Sequence, residues 1–573
     1  MKKFFSVLFI GIISLCLIGC SMKEGTLPSG DYGSTRKEGG YFDDTVTSEL
    51  TPTSDGKDLN DSSDFIMPKI FRGTLKRTSG MLTASLVDDN EKYDFWTKLI
   101  SASNDQQQTN ESTSFNQYYS KYSFKTLDRI KLEIKGVKLI VKEVEGVNSA
   151  TITLTDDGEY FSSTTDESGM VYLFPNMLRA SYNVKVTYPT NDGMNVKEFN
   201  VKNNDVISID DAVTKEDRIE LMFVVDTTGS MGDELEFLKL EMDDVISKVQ
   251  KNNPNSSISV ALLFYRDFGD QYVTKYFDFT SDIEQQKLNI KLQNANGGGD
   301  FEEAVHKALA EAVSKNWSTT PSTKLLVHIA DAPSHDSDVS AWNAAIVKLA
   351  SMGVKVITVA SSGIDKKTEY FFRSQSLLTG GKYIYLTDDS GIGNGHIEAT
   401  TEEKPVVEYL NALLVRVING YHTGDFGKAV PYYDDSDVST LPEKMPDDFS
   451  FTIEWNKGLK DKYDSKTGEL VLNINVEETQ NEIIKTKKIV LTKEKLEKVY
   501  DILKTINYSK VVSDEETPSK TGLKITIKAE NYNYTCYLGT EADTYIFDNS
   551  ASYAMYIKLN SILVAVINMP ETK

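Results

Sequence analysis

The chain has 573 residues, which is long enough for three or four domains of ordinary size and excludes a peptide or a module with one small core. Asp and Glu (85) outnumber Lys and Arg (62), so the net charge is -23; an acidic surface repels phosphate backbones, which argues against nucleic-acid binding. Hydrophobic residues (40%) and aromatic residues (10%) are as frequent as in packed globular domains, so we expect most of the chain to fold.

Residues 1–20 have the pattern of a secretory signal. They begin with two lysines after Met1, continue with an apolar stretch to Ile18, and are too short to be interpreted as a membrane span. The residues Leu17-Ile18-Gly19-Cys20 resemble the bacterial lipobox. This resemblance implies that Cys20 becomes the lipid-modified first residue of a mature protein, anchored outside the cytoplasm to the cell membrane or the outer membrane. A plain signal peptide without lipid attachment is the alternative.

The next two regions are a predicted tether and a predicted β-rich region. Residues 21–64 are rich in Gly, Ser, Thr and Asp and are typical of a flexible tether. Residues 65–212 are predicted to be β-rich, and the period-two pattern between about 130 and 210 predicts an antiparallel β-sandwich. The stretches Ser149–Thr155 and Thr165–Met170 resemble the transthyretin-like or carboxypeptidase-regulatory-like sandwich of bacterial surface proteins.

Residues 217–423 alternate short apolar runs with longer amphipathic stretches. This alternation predicts a doubly wound, Rossmann-like α/β domain, in which helices cover both faces of a mainly parallel sheet. Tyr272–Thr280 follows a tight connection without a helix, so we expect an antiparallel edge strand there. The other predicted strands are Ile219–Val225, Ile258–Phe264, Leu325–Ile329, Val354–Val359 and Tyr383–Leu386.

The last region is predicted to be a small α+β domain, residues 449–573, joined by a linker rich in Asp, Pro and Gly at 424–448. Helices are expected at Lys493–Ile506 and around Tyr553–Ile567. Cys536 is the only cysteine left once the leader is removed and Cys20 is modified, so no disulfide is possible within the mature chain. Its Tyr-rich strand pattern predicts a buried residue rather than a nucleophile.

Oxygen-bearing side chains follow the first predicted strand of the α/β domain. Asp226, Thr228 and Ser230 alternate along the loop after Val225. The carboxyl ends of parallel strands border the ligand crevice of such a sheet, and carboxylate and hydroxyl oxygens suit a hard divalent cation. The alternative is local: Ser230 caps the next helix and Asp233 completes a capping box.

Two later loops are expected at the same edge of the sheet. Gly297–Asp300 precedes a predicted helix at Glu303, and Asp331 ends a strand before Ala332-Pro333. This order resembles the von Willebrand factor type A domain, whose metal-ion-dependent adhesion site draws ligands from three loops. The resemblance implies Mg²⁺ as the cofactor, with Mn²⁺ or Ca²⁺ as alternatives. The metal ligands that it implies are Asp226, Thr228, Ser230, Asp300 and Asp331.

The sequence departs from the common pattern of this family at two positions. Thr228 stands where Ser is commoner, and Asp300 replaces a more frequent Thr. A further carboxylate near the ion strengthens its retention and weakens its attraction for a partner's carboxylate. The resemblance extends to a subfamily with three glycines before the second-loop Asp, a Tyr-Arg-Asp element and a nearby His, which match Tyr265–Asp267 and His335. From their positions we expect Arg266 and Asp267 to orient the metal loops and His335 to line them. An ordinary ion pair at the strand end is the alternative for Arg266 and Asp267.

In this family an Asp or Glu of another protein completes the metal coordination. We therefore expect a lipid-anchored bacterial surface protein that binds an extracellular or cell-envelope protein and is not an enzyme. One alternative is a metal-dependent hydrolase, although Thr228 stands where aspartyl-phosphate hydrolases need a second Asp. The other is a structural lipoprotein whose metal only stabilises the fold. Nucleotide binding is not expected, because Gly297–Gly299 lacks the phosphate-binding glycine pattern.

Overall fold

The computed structural model describes residues that all lie within one compact unit, Phe42–Lys573. The predicted leader, Cys20 and the tether at 21–64 lie outside these residues. The described residues are 72–75, 77–101, 110–136, 149–156, 158, 161–213, 216–432, 441–456, 459–476, 481–506, 508, 510–513, 521–530, 532–540, 544–547 and 550–572.

The strands and helices are numbered here in chain order. The strands are β1 (Arg72–Leu75), β2 (Thr83–Val87), β3 (Ile130–Gly136), β4 (Thr151–Leu154), β5 (Ser162–Thr164), β6 (Met170–Leu173), β7 (Tyr182–Thr190), β8 (Gly193–Val201), β9 (Val206–Ile209), β10 (Arg218–Asp226), β11 (Ser257–Tyr265), β12 (Thr274–Thr280), β13 (Thr323–Ala330), β14 (Val354–Ala360), β15 (Tyr383–Leu386), β16 (Val407–Tyr409), β17 (Ser450–Trp455), β18 (Asp461–Asp464), β19 (Glu469–Val476), β20 (Asn481–Lys488), β21 (Thr521–Ala529), β22 (Tyr532–Thr540) and β23 (Thr544–Phe547). The helices are α1 (Tyr93–Ser101), α2 (Asn110–Tyr122), α3 (Leu235–Asn252), α4 (Ile283–Lys291), α5 (Val305–Val313), α6 (Val339–Ser351), α7 (Lys366–Thr379), α8 (Leu410–Thr423), α9 (Lys493–Lys504) and α10 (Ser550–Ile567).

The largest sheet has the strand order β12-β11-β10-β13-β14-β15-β2-β16. Neighbouring strands from β11 to β15 pair in parallel, as the alternating pattern predicts, and β12 pairs antiparallel with β11 at one edge. Because β10, β11 and β13 run side by side, their carboxyl ends meet at one edge of the sheet. The loops that follow these strands are therefore close together.

Helices cover both faces of the large sheet because its central strands are apolar on both faces. On β10, Leu221 and Phe223 belong to one core cluster, together with residues of α3 and α8. The alternate residues Met222 and Val224 belong to a second cluster with residues of α5, α6 and α7. This two-sided burial explains why Leu221–Val225 is an uninterrupted apolar run.

The strand β2 differs from the sequence prediction. Residues 65–212 are predicted to form a β-rich region ahead of the α/β domain, but β2 lies inside the large sheet between β15 and β16. It pairs antiparallel with both neighbours. The local pattern shows only that β2 is apolar, and the partner of a strand is set by contacts far away in the chain.

Residues 130–209 contribute two small sheets, one with the order β6-β3-β9 and one with the order β5-β4-β7-β8. The second sheet is antiparallel throughout. In the first sheet β3 and β9 pair in parallel, which differs from the predicted antiparallel arrangement. Alternate residues of both sheets, such as Leu132 on β3 and Val184 on β7, are buried in a core that continues into α6 and α7.

The C-terminal residues form an antiparallel sheet with the order β20-β19-β18-β17-β21-β22. The helices α9 and α10 correspond to the two predicted helices, and β1 pairs in parallel with β23. Cys536 lies on β22 and is buried, as predicted. Within the described residues, no helix combines the length and apolar character that a membrane crossing requires.

A buried ion-pair cluster joins the segment after β2 to α7. The Arg373 guanidinium is fully buried and donates to both oxygens of Asp89, at 2.9 and 2.5 Å, and to Glu369 at 2.9 Å. Beside it, the rings of Trp96 on α1 and Tyr370 on α7 stack with centroids 6.0 Å apart. These contacts fix α1 and the end of β2 against the second core cluster.

We expect Arg373→Met to lower the free energy of unfolding by about 3–5 kcal/mol, because it leaves buried Asp89 without its cation and leaves Glu369 with Lys366 alone. Urea denaturation followed by circular dichroism measures this change. Arg77→Met is the matched control: Arg77 and Glu236 form an exposed ion pair at 3.9 Å. Loss of that pair should change the free energy by no more than about 0.5 kcal/mol. Equal effects of the two substitutions would contradict the prediction.

Candidate functional site

The loop after β10 holds the first set of predicted metal ligands. Asp226 ends the strand and is fully buried, and its Oδ1 accepts hydrogen bonds from the Thr228 backbone N at 2.8 Å and from Thr228 Oγ1 at 2.7 Å. The hydroxyls of Thr228 and Ser230 lie 3.2 Å apart. The three side chains therefore converge, as their alternating spacing predicts.

The capping-box interpretation of this loop is wrong. A 3-10 helix spans Gly229–Asp233, and its N-cap residue is Thr228. The helix α3 follows, and its N-cap residue is Glu234. Neither N-cap side chain makes a capping hydrogen bond. Asp233 instead accepts hydrogen bonds from the Ser362 hydroxyl at 3.1 Å and from the backbone N of Asn394 at 2.8 Å. The Ser230 hydroxyl therefore belongs to the cluster around Asp226.

The glycine loop lies directly against this first loop. Gly298 has a φ of +75°, and a Cβ atom there would lie 2.9 Å from Glu303 Oε1 and 3.3 Å from the Thr228 Cβ. Its backbone N donates to Asp270 Oδ2 at 2.9 Å. Only glycine combines this backbone conformation with so close an approach, so the glycines bring the second loop onto Thr228.

Glu303 differs from its predicted position at the start of a helix. The helix α5 begins at Val305, and the Glu303 backbone N donates to Pro333 O at 3.0 Å. This hydrogen bond belongs to a short parallel bridge between Glu303 and Ser334. The second loop is therefore hydrogen-bonded to the third loop, which begins at Asp331.

Three buried carboxylates, one from each loop, retain an oxygen without a hydrogen-bond partner. Within the described part of the chain, these atoms are Asp226 Oδ2, Glu303 Oε2 and Asp331 Oδ1. The three residues are 0%, 2% and 4% exposed. A buried carboxylate oxygen without a donor is costly, and a hard divalent cation is the kind of group that offsets this cost.

The same three groups have raised pKa values. Burial raises the pKa of Asp226 to about 6, although hydrogen bonds from Thr228 oppose the shift. Burial and the charge of Asp226 raise the pKa of Asp331 to about 8, and the Ser230 hydroxyl opposes this. Burial, followed by the charge of Asp226, raises the pKa of Glu303 to about 10. The cause is shared, since several carboxylates occupy one poorly solvated region.

Arg266 supports the loops through their backbone. Its Nε donates to Thr227 O at 3.1 Å, and one of its terminal nitrogens donates to Asn294 O at 2.7 Å. Its guanidinium lies over the Tyr272 ring, 4.6 Å from the centroid, and the Tyr272 hydroxyl is 2.9 Å from Thr227 Oγ1. Arg266 thus links the first loop to the segment that leads into the glycine loop.

Asp300 lies in a second group of side chains with Asp267 and His335. The ligand atoms of these three residues lie within 4.8 Å of one another, and across the described ranges no other three acidic, His or Cys residues come this close. His335 Nε2 and Asp267 Oδ1 are 2.9 Å apart. Asp300 is exposed, whereas Asp226 and Asp331 are buried. Neither the three predicted carboxylate ligands nor the three buried carboxylates Asp226, Glu303 and Asp331 therefore meet at this distance.

Sequence reasoning missed Glu303. Its position three residues after Asp300 is typical of an acidic residue in the first turn of a helix, and its backbone bridge to Ser334 has no local signal.

His328, by contrast, is a core residue. It is fully buried, and its ring nitrogens lie 3.0 Å from the Tyr265 hydroxyl and 2.9 Å from Gln375 Nε2. Burial lowers the pKa of His328 to about 3, so the ring is neutral near pH 7.

Two curated proteins are distant relatives of the chain. A putative ariadne-like RING finger protein of Acanthamoeba polyphaga mimivirus is 26% identical over 189 residues, which cover 29% of this chain and 18% of that protein. The alpha-protein kinase vwkA of Dictyostelium discoideum is 23% identical over 193 residues, which cover 34% of this chain and 31% of that protein. The chain thus spans less than a third of the length of either relative.

Solved structures similar to part of the chain include BatB of Bacteroides thetaiotaomicron, with 15% identity, a TM-score of 0.24, and coverage of 31% of this chain and 91% of that one. Another is the pilus adhesin SpaC of Lactobacillus rhamnosus GG, with 11% identity, a TM-score of 0.25, and coverage of 64% of this chain and 40% of that one. Residues 220–391 match the von Willebrand factor A domain family. This segment, which carries all three loops, is a von Willebrand factor A domain.

Proposed function

We propose that this protein binds another protein through a divalent cation held by the three loops of its von Willebrand factor A domain. The observation that carries the proposal is the set of unpartnered buried oxygens on Asp226, Glu303 and Asp331. Asp226, Thr228, Ser230 and Asp331 would hold the ion, which we infer to be Mg²⁺. Oxygen ligands of this kind suit Mg²⁺, and Mn²⁺ or Ca²⁺ can take similar sets.

The second loop offers the ion two different carboxylates. Glu303 is buried and its charge interacts with those of Asp226 and Asp331, whereas Asp300 is exposed and lies beside Asp267. We infer that Glu303 faces the ion from within the protein. Asp300 then lies at the outer side of the site, where its charge weakens the attraction for an acidic partner residue.

Exposed aromatic rings next to the loops support protein binding. Phe268 is 51% exposed and Phe301 is 41% exposed, and they adjoin Asp267 and Asp300 in sequence. The Phe268 ring packs 6.3 Å from that of His335. Exposed aromatic side chains are enriched in protein interfaces and often dominate their binding energy. The partner would contribute one Asp or Glu to the ion and apolar surface to these rings.

Isothermal titration should show saturable Mg²⁺ and Mn²⁺ binding by the chain from Ser21 onward, which contains every described residue. Asp226→Asn and Asp331→Asn should each weaken the affinity at least about 100-fold, because even outer residues of metal sites commonly change it 10–100-fold. Glu303→Gln should weaken it more than Asp300→Asn. Asp192→Asn, in the exposed turn between β7 and β8, is the control. Unchanged binding in Asp226→Asn would refute the site.

The pH dependence of the same titration adds a second check. Metal binding needs ionised carboxylates, and the pKa of Asp331 is about 8 and that of Asp226 about 6. The affinity should therefore rise at least about tenfold per pH unit from pH 6 to 8, and more steeply below pH 6. Raised carboxyl pKa values also make the metal-free fold less stable as the pH rises above about 4, so Mg²⁺ should raise the melting temperature more at pH 8 than at pH 5.

Partner binding should depend on the ion and on the aromatic rings separately. We expect an envelope protein of the source cell to be retained by the immobilised chain in Mg²⁺ and released by EDTA. Asp226→Asn should abolish its retention by removing the ion. The double variant Phe268→Ser and Phe301→Ser should weaken retention about tenfold or more while leaving the Mg²⁺ affinity unchanged. A partner that stays bound in EDTA and to Asp226→Asn would contradict metal-mediated binding.

We further propose that the protein is displayed outside the cytoplasm on a lipid attached to Cys20, with residues 21–64 extending the domains away from the membrane. Metabolic labelling with radioactive palmitate should mark the protein in the membrane fraction. Cys20→Ser should lose the label, whereas Cys16→Ser should keep it. A labelled Cys20→Ser protein, or an unlabelled parent, would show that the lipobox-like sequence is not used.

A further inference from the structure

A cavity of about 670 Å³ lies between the segment after β15 and the helices α9 and α10. Cavities of this size are typical of small-molecule sites. It contains none of the residues of the three metal loops. Its apolar lining comes from the segment and from both helices, and consists of Leu386, Ile392, Ile502, Ala554 and Ile557.

The charges around this cavity balance, although the whole chain carries a net charge of -23. The cavity is therefore more favourable to an anion than the average surface of the protein. The basic residues of the lining are His396, Lys404, Lys498 and Lys558. The acidic residues of the lining are Asp388, Asp389, Glu398 and Asp501.

Most of these charges already have partners. His396 lies between Asp388, at 2.8 Å, and Glu234, at 2.6 Å. Although burial opposes protonation, these hydrogen bonds raise the pKa of His396 to about 10, so it is a cation that offsets the charge of Asp388. Glu398 accepts a hydrogen bond from Lys404 at 2.8 Å, and Asp389 accepts one from the Tyr432 hydroxyl at 2.9 Å.

Lys558 is the exception among the basic residues. It projects from α10 and is only partly exposed, yet no hydrogen bond or ion pair holds its Nζ within the described residues. Burial lowers the pKa of its ammonium group, and the nearby charges of Asp389 and Asp388 oppose this. Asp501 is exposed and solvated. Within the described residues, the cavity thus presents beside its apolar wall one ammonium group that makes no hydrogen bond or ion pair.

We propose that this cavity binds an organic carboxylate with an apolar body, the carboxylate on Lys558 and the body against Ile502 and Ile557. A charge-assisted hydrogen bond to an ammonium group is stronger than a neutral one and fixes the orientation of the ligand. The apolar residues supply the remaining affinity through burial. The cavity shares no lining residue with the metal loops, so the test of this proposal does not depend on the outcome of the Mg²⁺ titrations.

Decanoate is the probe, titrated calorimetrically into the chain from Ser21 onward. We expect saturable binding of one decanoate per chain. Lys558→Met, which removes the ammonium group and keeps an unbranched side chain, should weaken it about tenfold or more, as should Ile557→Trp, which fills the cavity. Lys466→Met, in the exposed turn between β18 and β19, is the matched control and should leave it unchanged. Thermal melting and an unchanged Mg²⁺ affinity show that each variant is folded.

Absent or unsaturable decanoate binding by the parent chain would overturn the proposal, as would equal affinities of the parent and Lys558→Met. Tighter binding of decyltrimethylammonium than of decanoate would also overturn it, because it would give the cavity the opposite charge preference. Trileucine with a free carboxyl end and its amidated form distinguish two sources of the carboxylate. If trileucine with a free carboxyl end binds more tightly than decanoate, the carboxylate of the ligand is the end of a peptide. If decanoate binds more tightly, the ligand is a fatty acid.

Discussion

The mutual repulsion of three buried carboxylates is the constraint on which the rest of the metal-loop region depends. Asp226, Glu303 and Asp331 lie on different loops, each is almost fully buried, and each has an oxygen without a donor. Burial is the first cause of the raised pKa values of all three groups, and the charge of Asp226 adds to it at Glu303 and Asp331, so without a cation the region reduces its charge by binding protons. Protons and a cation therefore compete for the same oxygens.

Backbone hydrogen bonds hold the loops together against this repulsion. The Gly229 N donates to Gly297 O at 3.0 Å, and the Glu303 N donates to Pro333 O at 3.0 Å, so each loop is bonded to the next. Arg266 adds two donors to backbone carbonyls. None of these bonds uses a carboxylate oxygen of the three central residues. The loops are therefore positioned by their backbones, which leaves an oxygen of each carboxylate for an ion.

The sequence predicts the large sheet and the position of the loops, because both follow from local patterns. Apolar runs separated by amphipathic helices determine parallel strands, and parallel strands bring Asp226 and Asp331 to one edge. The insertion of β2 and the parallel pairing of β9 were not predictable in this way, since both depend on partners distant in the chain. The different positions of Asp300 and Glu303 also depend on tertiary contacts, because the Glu303 backbone pairs with the third loop.

One segment, residues 391–396, links the metal loops to the cavity. Asn394 donates to Asp233, and His396 bonds to Glu234, the residues that immediately follow the first loop. Gly393 packs so closely against Glu234 that a Cβ atom would overlap its carboxylate. Because the pKa of His396 is about 10, its charge is constant near neutral pH, so its bonds to Glu234 and Asp388 persist while Asp226 and Asp331 titrate. The segment is therefore a wall that the metal loops and the cavity share.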